Sequence, residues 1–121
     1  MMQVLVDSSV WIDHFKQRNA ALVALLEAGQ VLCHPLVVLA VGLGTPLPRR
    51  DVIALLARLE TPPIATAAEL LALVERRALF GRGCGAVDVS LLAATLLGQE
   101  ARLWTLDKRL AALADELGCA L

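Results

Sequence analysis

The sequence predicts an α/β fold of three layers, with helices on both sides of a mainly parallel central sheet. Three observations lead there. Short runs of β-forming residues alternate with longer stretches of helical spacing, the pattern of strand–helix–strand units. Hydrophobic residues make up 58% of the chain, well above the usual share, as a sheet buried on both faces requires. The strand runs are followed at once by residues suited to begin a helix: Asp7-Ser8, His34-Pro35 and Asp107. At 121 residues, with no linker or repeat, the chain is read as one domain, 1–121, large enough to bury a real core.

Val4-Leu5-Val6 is the first expected strand, delivering Asp7 to its carboxyl end. Ser8 or Ser9 is suited to cap a short helix through Trp11, Ile12 and Phe15. Leu22, Val23, Leu25 and Leu26 mark a second helix, stopped by Gly29. Val31-Leu32-Cys33 is a short strand, and His34-Pro35 opens a third helix with proline at its first position. That helix, Leu36 to Gly42, is apolar nearly all round and is expected to be buried. Thr45-Pro46-Leu47-Pro48 breaks the chain before helical spacing resumes from Arg49 to Leu59. Thr61-Pro62-Pro63-Ile64-Ala65 forms at most a short or edge strand, because proline cannot donate to a ladder. Thr66 and Glu69 are spaced as a capping box for a helix that ends near Phe80. A loop, Gly81-Arg82-Gly83-Cys84-Gly85, leads into a helix from Ala86 to Leu97. Arg102 to Leu106 is a strand with Asp107 directly after it, and a last helix covers Lys108 to Leu117.

Charge and cysteine content exclude some classes. Eleven basic residues stand against 12 acidic ones, so nucleic acid is neither demanded nor ruled out by the total, since local clusters set the surface field. Cys33, Cys84 and Cys119 show neither a paired spacing nor a zinc pattern, and are read as buried thiols in a reducing compartment. No membrane span is expected despite a mean hydropathy of +0.68. The longest apolar candidate, Val31 to Gly44, contains His34 and Pro35 and falls short of the roughly 20 residues needed. No basic-then-apolar leader precedes Val4, so a cytoplasmic location is expected.

Asp7 and Asp107 each follow an expected strand and precede a helix, so in a parallel sheet both point at the edge where such sheets bind ligands. Asp88 falls in the first turn of its helix. Singly, each is explained equally well as a helix N-terminal acid favoured by the macrodipole. Gathered at one edge, three carboxylates would repel one another by several kcal/mol at intermediate dielectric. A hard divalent cation removes that cost, and an all-oxygen donor set suits Mg²⁺ or Mn²⁺. Such a site activates water and polarises a phosphodiester.

Four segments carry a family resemblance: VLVDSSVWID (4–13), the His34-Pro35 helix, GRGCGAVDVSLLAATLL (81–97) and RLWTLDKRL (102–110). In order and spacing they resemble the four blocks of PIN domains, and most of all the VapC toxin ribonucleases of bacterial and archaeal toxin–antitoxin pairs. The resemblance implies a PIN-like α/β/α fold and a Mg²⁺- or Mn²⁺-dependent endoribonuclease acting on RNA. It also implies a homodimer held inactive by a small VapB-type antitoxin, meeting operator DNA only through that antitoxin. Carried over residue by residue, Asp7, Asp88 and Asp107 match the catalytic, metal-holding acids. Thr105 matches a supporting hydroxyl before the last acid, and Ser8 the one after the first.

Position 40 departs from the pattern. The family carries a glutamate one turn into the His-Pro helix, and here Ala40 stands in its place. The nearest acids, Glu27 and Asp51, lie in other elements. Alanine offers no oxygen ligand, so this form of the protein is expected to be inactive or impaired. An engineered inactivation is the preferred account. A natural loss, leaving a non-catalytic module that keeps antitoxin binding, is the alternative. A phospho-receiver is set aside, because Met2-Gln3 and Leu103-Trp104 supply neither its acidic pair nor its lysine.

Among weaker signals, Arg82, Lys108 and Arg109 are candidate contacts to an RNA phosphate. Arg49-Arg50 and Arg76-Arg77 read as solvated helix faces. Trp11 and Trp104 are expected in the core. His14 and His34 lack a partner at ligand spacing, and Asp13 reads as an exposed acid. The apolar first helices call for a groove or a self-association surface.

Overall fold

Successive side chains of a strand point to opposite faces, and Val4, Leu5 and Val6 are all fully buried. Both faces of their strand are therefore covered by other layers. This strand, β1 (Gln3–Val6), is the centre of a parallel sheet with β2 (Val31–Leu32) on one side and β3 (Ala101–Trp104) on the other. The computed structural model describes residues 1–121. Single-residue parallel bridges, Leu32 to Glu60 and Leu103 to Ala120, extend the sheet at each edge. The outer bridge sits at Glu60, one residue before the expected Thr61–Ala65 segment. Pro62 and Pro63 have no N–H with which to continue it.

Helices α1 (Ser8–Lys16) and α2 (Ala20–Glu27) join β1 to β2, and α3 (Pro35–Gly42) and α4 (Arg49–Arg58) follow β2. Next come α5 (Ala67–Arg76), α6 (Ala86–Leu97), β3 and α7 (Lys108–Glu116). Helix α3 packs on α1 and α4, α5 packs on α6, and α6 and α7 pack on β3. The three layers expected from sequence are present. The longest helix has 12 residues, and none is long and apolar enough to cross a membrane.

Local chemistry explains most boundaries. Asn19 accepts from Leu22 N–H to start α2, and Thr66 and Glu69 form the expected capping box at 3.1 and 2.9 Å. His34 caps α3 through Nδ1, which accepts from Leu36 N–H at 3.0 Å. Trp11 is buried as expected and stacks on Phe15, while Trp104 is half-buried. Cys33 and Cys119 are buried free thiols, whereas Cys84 is only half-buried.

Four expectations are corrected. The N-cap of α1 is Asp7, not Ser8 or Ser9, which lie inside the first turn. Helix α3 is not buried all round: Val37 and Val41 enter the core, but Leu39 is 56% exposed and Leu43, just beyond it, 80%. Helix α5 stops at Arg76, because Ala78 turns to φ 51° and Leu79 N–H bonds back to Val74 O, sending Leu79 into the core. Strand β3 ends at Trp104 rather than Leu106, so two residues separate it from Asp107.

Candidate functional site

The early end of β3 comes from the side chain of Thr105. Its Oγ1 accepts from Asp107 N–H at 3.0 Å and donates to Asp7 Oδ2 at 2.7 Å, diverting the chain from the ladder. Asp7 N–H, bonded to Trp104 O at 2.9 Å, makes the last rung before the diversion. Ser9 repeats the arrangement, with Oγ donating to the same Oδ2 at 2.8 Å and accepting from Leu106 N–H at 3.0 Å. A hydroxyl has one proton, so with both protons committed to Asp7 the 3.2 Å approach of the two hydroxyls adds no further bond. Asp7 is thus a buried carboxylate with Oδ2 doubly held. Its Oδ1 has only the 3.5 Å approach of Ser8 Oγ, too long to orient it. The sequence pattern points to Ser8 as the supporting hydroxyl, whereas the structure gives that place to Ser9. The i+2 spacing from Asp7, facing Thr105 across the β1–β3 pair, is the signal for Ser9.

Asp107 is the N-cap of α7, and its Oδ1 accepts from the N–H groups of Arg109 and Leu110 at 2.9 and 3.0 Å. Asp88, at the third position of α6, accepts from Gly85 N–H through Oδ2 at 3.2 Å. Both acids line one polar hollow of about 660 Å³ together with Gly83, Lys108 and Arg109. Asp7 does not line it. The structure therefore brings two of the three acids into one hollow and joins the third to Asp107 through Thr105. No three acidic, histidine or cysteine side chains stand together as a ready-made metal cluster.

The donors present still suit a hard cation. Each of the three carboxylates has one oxygen fixed by the protein and one without a short hydrogen bond. None is paired with a cationic side chain: the ion pairs of the molecule are Met1 N-terminus–Glu100 and Arg82–Glu116. Oxygen donors alone, each held by a strand end or a helix N-terminus, fit Mg²⁺ or Mn²⁺ rather than a softer metal.

The basic candidates divide. Arg82 is gripped by both oxygens of Glu116 at 3.1 and 2.8 Å, which also holds the Glu116 carboxyl below its usual range. Arg109 Nη1 donates to Gly83 O at 3.1 Å. Lys108 lines the hollow with no acidic partner. Arg49, read as a solvated face, instead donates to the carbonyls of Gly42 and Gly44 behind α3. His34 is buried, and burial lowers its pKa below the ordinary 6.5. Its ring is neutral, with Nδ1 as the capping acceptor.

Ala40 does not line that polar hollow. It lines a mainly apolar hollow of about 410 Å³ between α1, α3 and the loop after α3, facing Ile12, Phe15, Lys16 and Leu47.

Comparison with known proteins agrees with the resemblance read from sequence. The chain is 50% identical over 118 residues to Ribonuclease VapC32 of Mycobacterium tuberculosis strain CDC 1551 / Oshkosh, covering 98% of this chain and 95% of that protein. Ribonuclease VapC32 of strain ATCC 25618 / H37Rv matches with the same identity and coverage. No family model matches the chain, and no solved structure does.

Proposed function

We propose, from the premise that this chain belongs to the VapC ribonuclease family, that it is a single PIN domain built as a Mg²⁺- or Mn²⁺-dependent endoribonuclease toxin. One observation carries the reading. Asp88 and Asp107 share one polar hollow and Asp7, at the end of β1, is joined to Asp107 through Thr105, each acid with one oxygen fixed, one without a short hydrogen bond and no cationic partner. These three would hold the cation. When bound, Mg²⁺ or Mn²⁺ supplies a water acidified toward neutral pH and a positive charge opposite the scissile phosphate.

The chain's own residues prepare that site. Ser9 and Thr105 hold the Asp7 carboxylate by occupying Oδ2, which leaves Oδ1 without a short hydrogen bond. The first N–H groups of α7 hold Asp107, and Gly85 N–H holds Asp88. Lys108, without an acidic partner, is placed to meet an RNA phosphate at the rim of the hollow. Arg82 and Arg109 add positive charge nearby while bonded to protein groups.

Ala40 removes an oxygen where the family has one, so the present chain is read as impaired, with engineered inactivation the preferred account. The alanine favours α3 as a helix and costs the fold nothing. A second reading has its own support. The hollow beside Ala40 is mainly apolar, Leu47 on its lining is exposed, and Leu39 and Leu43, on α3 and just beyond it, are more than half exposed. These suit a natural non-catalytic module that keeps a VapB-type antitoxin in a hydrophobic groove. Both readings include that antitoxin and a twin subunit, a cytoplasmic setting, and operator DNA only through the antitoxin.

Ala40→Glu separates them. The engineered-toxin reading expects this variant to cut RNA with Mg²⁺ or Mn²⁺, and adding Asp7→Asn to abolish the cleavage. A variant that binds the antitoxin and cuts no RNA under either metal leaves the binding module standing and the nuclease reading overturned.

A further inference from the structure

Arg109 joins the two acids of the polar hollow. Its backbone N–H donates to Asp107 Oδ1 at 2.9 Å, while its side chain donates to Gly83 O at 3.1 Å. Gly83 stands two residues before Gly85, whose N–H holds Asp88. A continuous line therefore runs from Asp107 through Arg109, Gly83 and Gly85 to Asp88. The contact at Gly83 is close by construction. That residue has φ +77°, and a Cβ added there would lie 2.7 Å from Arg109 Nη1. The positive φ favours glycine there, and a Cβ would push the Arg109 tip from its present place. The other link between this loop and α7, the two-pronged Arg82–Glu116 pair, lies at the far end of the helix from Asp107.

We infer that Arg109 is a positioning residue, which clasps the glycine-rich loop to α7 and so sets the spacing between Asp88 and Asp107. The inference rests on the proposal that those acids hold a divalent cation. It makes a prediction opposite in sign to that of charge alone. Deleting a positive charge beside an acidic hollow tightens cation binding, whereas releasing the loop weakens it.

Mn²⁺ titration of the full chain tests this. Arg109→Gln is expected to weaken binding by roughly 10- to 100-fold, the usual cost of losing a group that orients metal ligands. Arg109→Lys, which keeps one donor toward Gly83 O, recovers part of the loss. Gly83→Ala weakens binding with the charge unchanged, and in the Arg109→Gln background it adds little, because both break one contact. Arg50→Gln, remote on α4, changes nothing. Arg109→Gln protein that binds Mn²⁺ as tightly as the parent, or more tightly, overturns the inference. So does a variant that keeps Mn²⁺ affinity and loses only RNA affinity, since it makes Arg109 a phosphate contact.

A metal-free measurement separates this inference from the proposal beneath it. The backbone order parameters of Gly83 and Gly85 should drop in Arg109→Gln from the rigid range, about 0.85, toward 0.6. If they drop and the parent binds no Mn²⁺, the cation proposal fails and the clasp stands. If they hold steady, the clasp fails.

Discussion

Replacing Thr105 with valine deletes one hydroxyl and preserves the side chain's volume, so no cavity complicates the result. The lost Oγ1 donates to Asp7 Oδ2 at 2.7 Å and accepts from Asp107 N–H at 3.0 Å. A hydrogen bond to an ionised group contributes about 1.5–3 kcal/mol net. Asp7 is 8% exposed, so water does not readily replace the donor. Asp107 is exposed, and its N–H finds water at little cost. The expected loss is about 2 kcal/mol. Urea denaturation at neutral pH should show it as a lower midpoint with an unchanged slope. Ser9→Ala removes the second donor to the same oxygen at 2.8 Å and should cost a similar amount. In the double variant the buried Oδ2 has no donor left, so the combined loss should exceed the sum by about 0.5 kcal/mol or more. If Thr105→Val lies within about 0.5 kcal/mol of the parent, as an ordinary surface change does, the hydroxyl does not hold the carboxylate. The division of Asp7 into a fixed and an available oxygen would then fall.

Three further tests address the rest of the fold. Burial lowers the His34 pKa below 6.5, so above that pH the ring is neutral in both folded and unfolded chains. As pH falls through 6.5, the unfolded chain takes up the proton first, and stability drops until the folded value is reached. His34→Asn keeps an acceptor for Leu36 N–H and lacks the titrating group, so its urea midpoint should fall less steeply from about pH 7 to about pH 5. Parallel slopes would count against the assignment. Among the thiols, burial pushes Cys33 up to about 11 and raises Cys119, while Cys84 is only half-buried. A disulfide reagent at neutral pH should label Cys84 in the native protein and the other two only on unfolding; equal early labelling of all three would contradict this packing. Thr66→Ala dismantles the capping box of α5 and should cost about 1 kcal/mol in the same urea assay, an unchanged midpoint being the contrary result.

The elements most legible in the sequence were those whose signals are local. The apolar run ending on Asp7, proline after His34, and glutamate three residues past Thr66 each state their structure within a few residues. Strand β3 misled because Leu106 continues a β-like pattern, while the hydroxyl of Thr105 answers to Asp7, 98 residues away. The role of Ser9 is hidden for the same reason, since it depends on the register of β1 against β3. The α3 helix is apolar at nearly every position, so composition could not say which residues would face solvent. Asp88 and Asp107 were recognisable as helix-start acids, but their shared hollow depends on a glycine that admits an arginine at close range. Periodicity carries no trace of that contact.

The β1–β3 register has a consequence in time. Asp7 lies near the beginning of the chain, yet its two hydroxyl partners work only once Thr105 and Leu106 have been laid beside β1. Asp107 and the residue that clasps it to the Asp88 loop come later still. A chain being synthesised can form β1, α1 and the early helices by local and medium-range contacts, but pairing across so large a separation is the slow part of folding. The carboxylate edge is therefore completed late, and in one step with the closing of the sheet. An N-terminal fragment ending before β3 would carry the first acid without the Thr105 hydroxyl that helps to aim it.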